Sequence, residues 1–202
     1  MSSLGARPAL VLATRNQHKL EEVGEILTGW EILPLPDEVV LPPEDGATFA
    51  ENAAGKARAA HAATGMAVIA DDSGIEAAAL DGRPGVYSAR YAGPDATDEE
   101  NLALLIKEVG EHPSGDRGVA YVCAIVHISA DGVESVREAR CEGVLTDEPR
   151  GDGGFGYDPA FVPNDFDDGR TMAELTREEK HSISHRGRAV RAIAEAIEGG
   201  AA

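Results

Sequence analysis

Val68-Ile69-Ala70-Asp71-Asp72-Ser73-Gly74 carries an apolar run straight into two adjacent carboxylates. Side by side, such groups repel, and each prefers a cation or a hydrogen-bond donor as neighbour. The run reads as a buried strand over residues 66–70 with the acidic pair at its end. In α/β proteins the carboxyl ends of strands are where ligand crevices form. The plainer reading is an Asx-type turn in which Asp72 or Ser73 caps the next few residues.

Outward from this stretch the chain alternates. Residues 9–13 form a short apolar run ending at Thr14, and residues 19–27 then show helical periodicity through Leu20, Val23, Ile26 and Leu27. A second strand is expected over residues 31–35. Thr48 reads as an N-cap with Glu51 in a capping box, opening an Ala-rich helix that Gly65 stops. Downstream, the Asp81-Gly82-Arg83-Pro84-Gly85 stretch has turn chemistry, and Thr97 caps a helix carrying Leu102, Leu105, Ile106 and Val109. Residues 119–129 and 133–145 read as a hairpin turning at Asp131-Gly132. A short helical piece begins at Ala173, and the last helix spans residues 184–197 before Gly199-Gly200. The expected fold class is α/β, on a mixed sheet with flanking helices. One domain is expected over residues 1–202, because no repeat or linker divides the chain.

The formal charge of −18 argues against a general nucleic-acid surface. Residues 1–8 lack a charged segment leading into an apolar one, so no signal peptide is expected, and no apolar run is long enough to span a membrane. A cytoplasmic protein is the expectation, with Cys123 and Cys141 as buried thiols. Lysines are few: Lys19, Lys56, Lys107 and Lys180. Lys107 reads as surface, whereas the other three fall inside segments with chemistry. An ammonium is a good point-charge partner for phosphate.

Thr14-Arg15-Asn16-Gln17-His18-Lys19 is a strand-to-helix turn whose hydroxyl, amide and ammonium suit an anion, although it lacks the glycines of a Walker A loop. Taken alone, a capped helix with a snorkelling lysine is the plainer reading. A carboxylate of Glu44 or Asp45, with Asp71 and Asp72, would supply oxygen ligands of the kind Mg²⁺ takes when substrate phosphates complete its shell. Taken alone, Glu44 and Asp45 read as a solvated turn. In Gly153-Gly154-Phe155-Gly156-Tyr157-Asp158-Pro159, glycines flank Phe155, leaving its ring open to a flat heterocycle beside an acceptor carboxylate. A glycine-permitted bend with core aromatics is the competing reading. Ser184-His185-Arg186-Gly187 opens the last helix with cations at its N-terminus, against the helix dipole, which an anionic or keto partner would explain. His61, His112, His127 and His181 read as structural.

These segments, in order, resemble the inosine triphosphate pyrophosphatase family. The residues that carry the resemblance are Thr14-x-Asn16-x-x-Lys19, Gly46-x-Thr48-Phe49-x-Glu51-Asn52-Ala53 and Ala70-Asp71-Asp72-Ser73-Gly74. They continue with Pro84-Gly85-Val86-Tyr87-Ser88-Ala89-Arg90-Tyr91, the Phe155 segment, Leu175-Thr176-x-Glu178-Glu179-Lys180, and Ser184-His185-Arg186-Gly187. The acidic stretch over residues 164–170 is less typical and is assigned no function.

The resemblance implies an elongated, two-lobed fold on a long mixed sheet with the active site in the cleft, a homodimer and a requirement for Mg²⁺. It implies cleavage of ITP, XTP and their deoxy forms to the monophosphate and pyrophosphate, clearing deaminated purines. Asp72 would be general base and metal ligand, with Glu44 the second ligand candidate. Lys19, Lys56 and Lys180 would offset triphosphate charge, and Thr14, Asn16 and Ser73 would add hydrogen bonds. Arg15, Gln17 and His18 belong to the same substrate loop. Phe155 would stack on the purine beside Gly156 and Tyr157, and Asp158, His185 and Arg186 would read its edge.

Three other readings stay open on the sequence. One is a Maf-like pyrophosphatase of similar fold acting on modified pyrimidines. A second is a nucleotide-binding regulatory module without catalysis, and a third a plain α/β interaction domain.

Overall fold

β1 (Ala9–Leu12) is the strand around which the sheet is laid out, because β2 and β3 both pair with it in parallel. The computed structural model describes residues 7–199. Residues 1–6 and 200–202 lie outside them, so the expectation about a signal peptide and the second glycine of the last helix stop fall outside the described residues. The elements run β1, α1 (Gln17–Ile26), β2 (Glu31–Pro34), α2 (Phe49–Thr64), β3 (Val68–Ala77), α3 (Asp98–Glu111), β4 (Gly118–Ile128), β5 (Glu134–Leu145), β6 (Phe161–Pro163), α4 (Arg177–Ile183) and α5 (His185–Gly199). The six strands form one sheet in the order β2-β1-β3-β4-β5-β6, with β6 antiparallel to β5. The mixed α/β sheet expected from the alternation is therefore present.

The chain clusters into two compact units. One takes the chain up to Asp72, Ala124–Glu138 and the chain from Ala189 onward; the other takes Ser73–Cys123 and Ala139–Arg188. In the first, Ala53, Ala57 and Ala60 line one face of α2 and pack on Val11, Ala13, Val68 and Ala70. The i, i+4, i+7 spacing of small residues lets helix backbone approach sheet closely. Its helix is bounded as expected: Thr48 Oγ1 accepts the Glu51 N–H, and Gly65 closes on the His61 carbonyl in a left-handed conformation. The expected capping box is only half formed, since the Glu51 carboxylate takes the Ala47 N–H rather than that of Thr48.

In the second unit, α3 lays Leu102, Leu105 and Val109 into a core with Ile75, Val119, Tyr121, Leu145, Phe161 and Met172. Thr97 and Glu100 complete a capping box at its start. Further capping boxes, Thr171–Glu174 and Thr176–Glu179, shape the approach to α4, a helix that the expected start at Ala173 anticipates only as a 3-10 turn. Neither cysteine is in a disulfide and both are buried, as expected. Lys107 is exposed. Among the described residues no helix is long and apolar enough to cross a membrane.

Candidate active site

The last rung between β1 and β3 is the bond from the Ala13 N–H to the Ile69 carbonyl, 2.8 Å. There β1 ends, whereas β3 continues to Ala77. The expectation that the strand stops at Ala70 is thus corrected. Asp71 and Asp72 lie inside a strand, and no Asx-type turn forms at this point. Alternation along the strand turns consecutive side chains to opposite faces. Val68 and Ala70 face α2, and Asp72 shares their parity. The β1–β2 crossover runs one way along the sheet and the β2–β3 crossover runs the other way, past β1, so right-handed connection puts α1 and α2 on opposite faces. Each carboxylate therefore meets a different helix.

Asp71, fully buried, pairs with Lys19 Nζ of α1 at 2.9 Å. Asp72 accepts from Asn52 Nδ2 at 2.9 Å and lies 3.4 Å from Lys56 Nζ, both on α2. The Lys56 ammonium also bonds Glu44 Oε1 at 2.6 Å. Asn52 and Lys56 are four apart, hence neighbours on the helix. Asn52 Oδ1 in turn receives the Gly46 N–H at 2.8 Å, tying the loop that bears Glu44 to the same amide. The sequence marks Asn52 for no chemistry of its own, although its i, i+4 relation to Lys56 is visible there.

Burial pushes the Asp72 carboxyl above its ordinary value, against the pull of Lys56 and the Asn52 hydrogen bond. Burial alone depresses the Lys56 ammonium, but Asp72, Asp71 and Glu44 together carry it above its ordinary value. On the α2 face two carboxylates, Asp72 and Glu44, share one ammonium, leaving negative charge in excess and an oxygen-only pair of carboxylates. That chemistry fits a hard divalent cation such as Mg²⁺. Among the described residues no cluster of three or more metal-ligating side chains occurs. Glu44 and Asp72 are the one or two protein carboxylates that such an ion takes when phosphates supply further oxygens.

The β1–α1 turn is organised by its own side chains. Thr14 Oγ1 accepts the Asn16 N–H, and Asn16 Oδ1 caps α1 by accepting from Lys19 N. This cap starts the helix two residues before the expected Lys19, with Gln17 and His18 exposed on its first turn. Arg15 turns away from the role expected of it. Its guanidinium bonds the carbonyls of Leu35, Pro36 and Val39 at 2.8–2.9 Å, holding the loop after β2.

In the second unit, Phe155 is half-buried, with Lys180 Nζ 5.0 Å and Arg186 Cζ 5.8 Å from its ring centroid. Arg186 also donates to Ser73 Oγ at 2.9 Å. Asp158 is buried and accepts three hydrogen bonds: from Tyr121 at Oδ1 (3.0 Å), and from the Phe155 N–H (2.9 Å) and Lys180 Nζ (2.8 Å) at Oδ2. Lys180, expected among the phosphate partners, is thus buried with Asp158 beside the aromatic ring. The glycine before Phe155 has a further purpose: a Cβ on Gly154, at φ +71°, would lie 2.0 Å from Asp158 Oδ2. Only glycine lets the backbone reach this carboxylate.

Tyr157 is turned inward and donates to the Ser88 carbonyl at 2.7 Å, while the Gly156 N–H bonds Asp98. These two residues pin the loop. Ser184 caps α5 as expected, accepting the Gly187 N–H at 3.0 Å. His185 stacks on Tyr121, with centroids 4.6 Å apart and planes at 14°. Tyr121 is a site residue that the sequence motifs miss; a lone tyrosine inside an apolar strand, whose hydroxyl needs a partner, is the signal that could have found it.

In the first unit, carboxylates beside an ammonium suit a divalent cation; in the second, an aromatic ring flanked by two cations suits a flat, anionic ligand. The Ham1 family model matches residues 10–196, and the chain belongs to the Ham1 family. It is 47% identical to the dITP/XTP pyrophosphatase of Mycolicibacterium paratuberculosis, over 94% of this chain and 95% of that protein. Identity to the dITP/XTP pyrophosphatase of Geobacter sulfurreducens is 48%, over 90% and 92%. A solved structure of a HAM1 protein from Coxiella burnetii superposes with a TM-score of 0.86 at 38% identity, covering 95% of this chain and 99% of that one. The resemblance drawn from the ordered motifs is borne out.

Proposed function

We propose that this protein is a nucleoside-triphosphate pyrophosphatase that hydrolyses the non-standard purine nucleotides ITP, dITP, XTP and dXTP to the monophosphate and pyrophosphate. The observation that carries the reading is Asp72, a buried carboxylate held by Asn52 and Lys56 with Glu44 on the same ammonium. The dITP/XTP pyrophosphatase names of relatives near half identical over nearly the whole chain support the substrate class.

Asp72 would take a proton from the water that attacks the α-phosphorus. Its upward-shifted carboxyl makes a stronger base than an exposed aspartate. Glu44 and Asp72 would hold Mg²⁺, which when bound neutralises phosphate charge and eases departure of pyrophosphate. Lys19 and Lys56 would offset further charge, with Thr14, Asn16 and Ser73 adding hydrogen bonds. Phe155 would stack on the purine, Asp158 would hold the loop and Lys180, and His185 and Arg186 would read the base edge. Hypoxanthine and xanthine present a keto acceptor at position 6, where adenine presents an amino donor. Donors fixed there are left unpaired by ATP, and rejection built this way reaches about 10⁴-fold.

With Mg²⁺, the purified protein should convert XTP and ITP to monophosphate and pyrophosphate, with ATP and GTP far slower. Release of orthophosphate with accumulation of diphosphate would overturn the reading, and turnover of modified pyrimidines instead would favour the Maf-like alternative. We also propose a cytoplasmic homodimer that clears deaminated purines; light scattering after size exclusion tests the dimer.

A further inference from the structure

We propose that Tyr121 is a positioning residue for purine selectivity, acting through Asp158 and His185. This rests on the reading of Phe155, Lys180, His185 and Arg186 as the purine site.

Tyr121 is buried in β4, and touches one member of that group, His185, together with Asp158, which binds two others. Its hydroxyl donates to Asp158 Oδ1, and its ring stacks on His185. A tilted contact with Phe161, centroids 4.6 Å apart, locks the ring into the core. The carboxylate torsion of an aspartate is soft and roughly two-fold. Here both oxygens are engaged, and the second one carries the Phe155 N–H and the Lys180 ammonium. The Tyr121 hydroxyl therefore sets the carboxylate plane, the carboxylate sets the Phe155 backbone and Lys180, and Lys180 lies over the Phe155 ring. Burial and the neighbouring Asp158 hold the phenol far above its ordinary value, so it remains a donor at every working pH.

Without the hydroxyl, Asp158 Oδ1 is buried without that donor. The carboxylate then turns to share its remaining donors between both oxygens, and Phe155, Lys180 and the donors aimed at the base lose their fixed places. A keto-reading site discriminates only as well as its donors are held, because hydrogen bonds weaken steeply with misalignment. ATP, whose 6-amino group cannot accept these hydrogen bonds, loses less.

The test is Tyr121→Phe, which deletes one oxygen and keeps the ring stack. Specificity is read as kcat/KM for XTP and ITP divided by that for ATP. Assays run at 15 °C, with the melting temperature recorded alongside, so that lost stability does not enter the ratio. The ratio should fall by about tenfold, as expected for a hydrogen bond to a charged group. An unchanged ratio, whatever the effect on stability, overturns the proposal and leaves Tyr121 a core residue. A wild-type enzyme with no preference for XTP and ITP over ATP overturns the purine-site reading itself, which separates the two failures.

Discussion

Asp71 and Asp72 are consecutive in the chain, yet one pairs with Lys19 of α1 and the other with Asn52 and Lys56 of α2. The pleat of β3 resolves the repulsion that the doublet invites. Each acid has its own partners on its own face, and we propose that the two carry different functions.

Substitution should separate them. Asp72→Asn keeps the shape and the buried site while removing the base, and kcat for XTP should fall about 10²–10⁴-fold with the fold intact by circular dichroism. Retained turnover would refute the assignment of the base. Asp71→Asn breaks the pair with Lys19. It should cost about 2 kcal/mol of stability, less than the 3–5 typical of a fully buried pair because Lys19 keeps a path to water. Its effect on turnover should show chiefly in KM. A kcat loss equal to that of Asp72→Asn would mean that the faces do not divide the work.

Asn52 links Asp72 to the backbone at Gly46, two residues after Glu44. Asn52→Asp is nearly isosteric and still accepts the Gly46 N–H, but it replaces a donor to Asp72 by a like charge. Mutation of groups that orient metal-ligating carboxylates typically costs about 10–100-fold in metal affinity or activity. The expected result is a kcat lower by that factor, a higher Mg²⁺ requirement and weaker Mn²⁺ binding by electron paramagnetic resonance. Wild-type Mn²⁺ binding and kcat in the variant would remove Asn52 from the site.

The features legible in the sequence are those set by neighbours along the chain. Thr48 and Gly65 bound α2 through local hydrogen bonds, and both stand where the sequence puts them. The length of β3 is not legible, because a strand through Asp71-Asp72 is tolerable only when helices on two faces supply Lys19, Asn52 and Lys56. Arg15 sits in the substrate-loop motif, but its guanidinium has reach enough to serve carbonyls about twenty residues on. Chain position does not distinguish these uses. Asp158 is legible as a functional acid, whereas its inward direction depends on Tyr121 and Lys180, both distant in sequence.

At alkaline pH the second unit should weaken in a defined window. Burial, aided by Asp165, raises the Cys141 thiol to about 12. Burial and the hydrogen bond to Glu108 likewise raise the Tyr91 phenol to about 12. Both groups are raised above their unfolded values, so their contribution is complete below about pH 9 and is lost as pH climbs through 12. Melting temperature should decline over that range, and Cys141→Ala and Tyr91→Phe should each flatten the decline. In the native protein at pH 8 Cys141 should react with a thiol reagent far more slowly than after denaturation. Equal rates would show that the thiol is not held in its protonated, buried form.

At acid pH the sign reverses, and the element at risk is the one that carries Lys180. Arg170 forks onto Glu179, with Nη1 and Nη2 at 3.0 and 2.9 Å from its two oxygens. Glu179 also completes the Thr176 capping box of α4, accepting the Thr176 N–H at 2.8 Å. The Arg170 hydrogen bonds foremost, then the Thr176 N–H, hold the carboxyl down at about 2. A depressed acid contributes stability above its unfolded value near 4.5, and that contribution fades as pH falls toward 2. The pair is only partly buried and open to solvent, so the loss should be modest and salt-sensitive. Glu179→Gln can still accept the Thr176 N–H, as glutamine does in capping boxes, but it cannot ionise. Its melting temperature should therefore fall less steeply than wild type between pH 4.5 and 2, with kcat/KM for XTP near wild type at neutral pH. An acid slope identical to wild type would show that the Arg170–Glu179 fork contributes nothing to the start of α4.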